Sequence, residues 1–113
     1  MYVVAQHDIR DPQTAFARGQ KLIRNEGAPL GARALQFYPS RDGSAVTCLW
    51  EAESVESIQD YVDSTLGDAS QNTCYEVDPE QAFSDQPAGL PGRAEAVDDA
   101  LRDELAPGSF SRH

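Results

Sequence analysis

Basic residues, cysteines and long apolar runs are scarce in this 113-residue chain, and each scarcity removes a class of function. Nine Lys and Arg stand against nineteen Asp and Glu, a formal charge of −10. A surface of that sign repels phosphate backbones and anionic headgroups, so no nucleic acid and no membrane surface is expected as a partner. No apolar run approaches the ~18 residues of a membrane-spanning helix. The chain opens in strand-like sequence with no basic n-region and no apolar h-region, so no secretory signal is read. The two cysteines, Cys48 and Cys74, are then expected as reduced thiols in the cytoplasm. A Gly-rich phosphate loop, Cys-x-x-Cys, Gly-x-Ser-x-Gly and His-Glu-x-x-His are all missing, so nucleotide, zinc and serine-hydrolase readings lack their signatures.

What is present is ordinary for one soluble domain with one core: 40% hydrophobic and 25% charged residues. The densest stretch is Ala45–Glu51, AVTCLWE, which holds the only Trp and one Cys and leads into Ser54, a helix N-cap. Its apolar residues fall on both parities, as expected for a central strand covered on two faces. Ahead of it, residues 2–7 (YVVAQH) read as a first strand. Asp11-Pro12 then starts a helix, with Phe16, Gly19, Leu22 and Ile23 on one face and Gly27 as its stop. Gly19 inside that helix reads either as a point of close helix–strand approach or as a tolerated glycine.

Residues 32–38 (ARALQFY) read as a second strand, joined to the central stretch by a turn ending in Asp42-Gly43. After Ser54, the stripe Val55, Ile58, Tyr61, Val62 and Leu66 gives a second helix ended by Gly67. Residues 72–77 (NTCYEV) close the set. The order β-α-β-β-α-β predicts an α+β, ferredoxin-like fold: a four-stranded antiparallel sheet with both helices on one face. The other face needs a cover, and a second copy of the chain is the expected one, giving a dimeric α/β barrel.

From residue 78 the composition changes. Eight acids, three arginines and four prolines mark residues 79–113 with Asp78 as an acidic tail distinct from the domain at 1–78. Residues 85–92 read as a linker. Ala94, Val97, Leu101 and Leu105 give residues 93–105 the stripe of a short amphipathic helix, too short to persist alone.

Strand parity sorts the central stretch into Val46, Cys48 and Trp50 on one side and Thr47, Leu49 and Glu51 on the other. Taking the first and third strands as parallel neighbours, His7 and Glu51 fall at one end of the sheet. There an imidazole and a carboxylate could hold a divalent metal or exchange protons, with further ligands from Asp8, Glu76 or a second chain. The bland alternative is that both simply cap strand ends. Cys48 reads first as a small buried hydrophobe, and Trp50 as core or dimer interface before ligand platform. One strand is expected between Cys48 and Cys74, which puts them beyond disulfide reach.

Residues 2–9 (YVVAQHDI), the hairpin, CLWEAES and the closing YEVD resemble a small ferredoxin-like family typified by an actinobacterial nickel-binding protein. Cys48, Leu49, Glu51 and Ala52 match its Cys-aliphatic-variable-Glu-Ala strand, and Glu76-Val77 its usual ending. The resemblance covers residues 2–78. It implies a relative of the dimeric α/β-barrel proteins, and a divalent metal such as nickel as a possible cofactor. Relatives carry His where Gln36 stands and an acid or His near Gln6; this sequence has an amide at both.

Three functional expectations follow. The first is a cytoplasmic homodimer holding a small ligand or a divalent metal in a sheet-lined cavity, with Gln6, Gln36, Cys48 and Trp50 lining it and His7 and Glu51 at one end. The second is a cofactor-independent monooxygenase or isomerase, as found among similar barrel proteins. The third is an interaction protein whose tail is the working part.

Overall fold

The computed structural model describes residues 1–92. The expected amphipathic helix at 93–105 therefore lies outside the described residues. Element order is β1 (Tyr2–Ile9), α1 (Pro12–Ile23), β2 (Arg33–Pro39), β3 (Ala45–Glu51), α2 (Val55–Leu66), a 3₁₀ turn (Gly67–Ala69) and β4 (Ser70–Glu76). The strands form one sheet in the order β2-β3-β1-β4, every neighbouring pair antiparallel. This is the ferredoxin-like α+β fold.

Local chemistry accounts for the elements. Asp11 caps α1 by accepting from the Thr14 N–H at 3.2 Å, and Pro12 occupies the first helical position, where its missing N–H costs nothing. Hydrogen bonds from Thr14 hold the Asp11 carboxyl below its usual pKa. Ser54 caps α2 in the same way, accepting from the Ser57 N–H at 3.1 Å, and Gly67 ends it at φ 58°. Helix α1 stops earlier than Gly27. The chain turns left-handed first at Asn25, φ 57°, one of the few non-glycine types that tolerates this region, and again at Gly27, φ 70°.

Gly19 is not a point of forced approach. A Cβ there would meet only Leu66 Cδ2 of α2, at an ordinary 3.9 Å, so the contact is helix to helix and has room.

The core lies between the sheet and the helices. Val3, Trp50, Ile58 and Val62 are its largest fully buried side chains, and the Trp50 ring meets Tyr61 edge to face at 5.8 Å. The Tyr61 hydroxyl donates to the Glu26 carbonyl at 2.6 Å, which ties α2 to the turn after α1. The expectation that β3 is covered on both faces fails within the protomer. Val46, Cys48 and Trp50 are buried under the helices, while Thr47, Leu49 and Glu51 belong to a face that neither helix reaches. After β4, the Val77 N–H still donates to the Tyr2 carbonyl at 2.9 Å; residues 78–92 then run exposed, with neither helix nor strand.

Candidate functional site on the open sheet face

Cross-strand partners in an antiparallel sheet point to the same side, so the register sorts the open face into rows. At one end stand Arg33, Glu51 and Tyr2, with the Arg33 guanidinium 3.5 Å from the Glu51 carboxylate. The next row is Gln36, Leu49, Val4 and Tyr75, and the third is Tyr38, Thr47, Gln6 and Thr73. Last come Ala45, Asp8 and Gln71, which with Gln6 and Thr73 line an open concavity of about 410 Å³. Tyr75, Tyr2 and Tyr38 are 48%, 44% and 39% exposed, too much for an interior and a great deal of aromatic surface to leave in water.

The register also corrects the placement of the expected site residues. Strands β1 and β3 are antiparallel, with Tyr2 opposite Glu51 and His7 opposite Val46. His7 and Glu51 are thus separated by five register positions, about 17 Å along the strand. They also lie on opposite faces, since His7 is buried under the helices and Glu51 stands on the open side. They do not form a pair. Among the described residues there is no group of three or more His, Cys, Asp or Glu placed to hold a metal ion.

The expected cavity lining divides in the same way. Gln6 and Gln36 are on the open face. Cys48 and Trp50 are beneath the helices at 6% and 0% exposure, out of reach of anything bound opposite. Trp50 Nε1 is buried and finds no acceptor among the described residues, so the ring serves as core. Burial pushes the Cys48 thiol up to about 12 and the Cys74 thiol to about 11. Both are free, and β1 runs between their strands, as the spacing argument expected.

The sequence reading did not single out Tyr38, Thr47 and Thr73 as lining residues. Nor did it find the polar network that holds His7. His7 Nδ1 lies 2.7 Å from Asn72 Oδ1, which also accepts from the Ser70 hydroxyl at 2.6 Å. Asn72 Nδ2 donates to the Asp63 carboxylate at 2.9 Å. Gln59 Nε2 donates to both Asp63 oxygens at 3.1 Å and to the Asn72 carbonyl at 2.9 Å. Desolvation lowers the His7 pKa, against upward pulls from Asn72 and Asp63. Alternation along β4 was the signal available: Ser70, Asn72 and Cys74 share one parity and Gln71, Thr73 and Tyr75 the other.

The class these features define is a small ferredoxin-like α+β domain with one uncovered sheet face. No protein-family model matches the chain, and no curated protein matches it. Among solved structures, Rv0793 from Mycobacterium tuberculosis is similar to it, with a TM-score of 0.47 and 16% identity over 72% of this chain and 98% of that one. No helix among the described residues is long and apolar enough to cross a membrane.

Proposed function

We propose that this protein is a homodimeric binding module in which a second copy covers the open sheet face and encloses a small ligand. The observation that carries the reading is the band of Tyr2, Val4, Leu49 and Tyr75 left outside both helices. Burying apolar area contributes roughly 25 cal/mol per Å², so two such faces brought together would gain what the monomer leaves unburied.

Charge favours the same surface. Between residues 42 and 92 there are eleven acids and no Lys or Arg, yet the strand residues of the open face include only Asp8, Glu51 and Arg33 as charged groups, the last two paired. Two copies of a chain at −10 repel each other least through this face. A ligand suits the enclosed space better than a metal held by His7 and Glu51, because those two residues look into different sides of the sheet. The two unpaired thiols suit a reducing, cytoplasmic setting.

Light scattering on the full chain at micromolar concentration tests the reading. The expected mass is twice the 12.3 kDa of one chain, falling toward one chain in Leu49→Lys, which places a charge in the middle of the band. A clean monomer for the parent chain would overturn it.

A further inference from the structure

The third row of the open face is chemically uniform. Tyr38, Thr47, Gln6 and Thr73 sit side by side across all four strands, in register. At ~4.8 Å per strand the row spans about 14 Å. It presents three hydroxyls and one amide, neutral at pH 7 and each able to donate and to accept. Among the described residues none of the four spends its side chain on a hydrogen bond within the protein. One row over, about 7 Å away along the strands, Leu49, Val4 and Tyr75 form an apolar edge.

We propose that this row binds a small uncharged ligand, with one edge that both donates and accepts hydrogen bonds and an opposite edge that is apolar. The inference rests on the dimer reading, since a second copy would strip water from these groups and leave them in need of partners. An anion would find no cation in the row. Arg33 stands at the far end, engaged with Glu51, and Asp8 borders the row on its near side. A divalent cation would find neutral oxygens where hard metals want carboxylates. An organic cation would find Asp8 alone, one row away from the hydroxyls and the amide.

Three probes that share one ring separate these cases: 4-hydroxybenzamide (neutral), 4-hydroxybenzoate (anionic) and 4-hydroxybenzylamine (cationic). Each is titrated into the full chain and followed by heteronuclear NMR, with mass from light scattering in the same buffer. The neutral probe should shift the signals of Gln6, Thr47 and Thr73 together with the Val4 and Leu49 methyls. It should bind at least tenfold tighter than either charged isostere. Thr47→Val, which keeps the shape and removes the hydroxyl, should weaken it severalfold with the dimer mass unchanged. Binding of a charged isostere as tightly as the neutral probe, shifts confined to other surfaces, or no shifts at millimolar probe would each overturn the inference while a dimeric mass left the dimer reading standing. A monomeric mass would remove both.

Discussion

His7 Nδ1 meets Asn72 Oδ1 at 2.7 Å, and the direction of that hydrogen bond is decided one step further on, at Asp63. An ionised carboxylate only accepts, so it turns the Asn72 amide with Nδ2 toward itself and Oδ1 toward the imidazole. An amide oxygen also only accepts. His7 must therefore carry its proton on Nδ1 and leave Nε2 bare when neutral. Long-range ¹H–¹⁵N spectra at pH 8 should show a protonated Nδ1 and an unprotonated Nε2. The reverse pattern would mean that the network runs the other way.

The same burial sets a pH dependence. The folded His7 pKa lies below its ordinary 6.5, so the unfolded chain takes up the proton first. The stability associated with neutral His7 is present above about pH 6.5 and is lost as pH falls from there toward the folded pKa. Among the described residues the titratable neighbour acting on it is Asp63, which opposes the shift. Urea midpoints between pH 7.5 and 5.5 should fall more for the parent chain than for His7→Gln. Parallel slopes would show that His7 does not titrate on unfolding.

The thiols should behave as buried hydrophobes. With pKa values pushed up to about 12 and 11, Cys48 and Cys74 carry almost no thiolate at pH 8. A thiol reagent should find two groups per denatured, unreduced chain. In the native protein it should find Cys74 slowly and Cys48 only at the rate of unfolding. Fast native reaction of Cys48 would mean that the sheet–helix layer opens.

The element order was legible because caps and stripes are local. Asp11-Pro12, Ser54 and the run from Val55 to Leu66 each state their structure within a few residues. Ala45–Glu51 was readable to the residue. The site was less so, because it depends on direction and facing, which are settled between distant segments. Apolar residues on both parities of β3 did not reveal that Trp50 faces the helices; Val3 and Ala34, its register partners, decide that. Treating β1 and β3 as parallel set His7 beside Glu51, whereas the α1 crossover keeps β2 running with β1 and the β2–β3 hairpin then reverses the chain, which makes β1 and β3 antiparallel.

Gly19→Ala should stabilise the protein. The position is helical, its φ is ordinary, and the added methyl meets only Leu66 at contact distance. The gain expected from reduced unfolded-state freedom is ~0.5–1 kcal/mol, a rise of a few degrees in Tm. A fall in Tm would show that α1 and α2 need the bare backbone there.

A chain ending at residue 78 should fold. Residues 78–92 add no strand or helix to the sheet, and among the described residues the last backbone bond to β1 is made by Val77. Circular dichroism and thermal melting of the shortened chain check this, with a cooperative transition expected slightly below that of the full chain. A shortened chain without a cooperative transition would place the boundary later.

The sharpest test of the architecture is at Gln59. Strand β4 lies at the edge of the sheet, where unpaired backbone groups invite other strands. The Gln59 side chain occupies that edge: Nε2 donates to the Asn72 carbonyl at 2.9 Å, and Oε1 accepts from the Cys74 N–H at 3.1 Å. One side-chain amide thus stands in for the peptide unit of a fifth strand. Gln59→Leu keeps the volume but strands both backbone groups, at a cost of ~1–3 kcal/mol. Gln59→Glu keeps an acceptor for Cys74 yet loses the donor to Asn72 and sets a second carboxylate against Asp63, where Nε2 now sits 3.1 Å from both oxygens. At pH 7.5 Gln59→Glu should therefore be the less stable of the two in urea, and both should aggregate faster than the parent through the uncovered edge. Two variants as stable as the parent at pH 7.5 would show that water serves the β4 edge as well as Gln59 does.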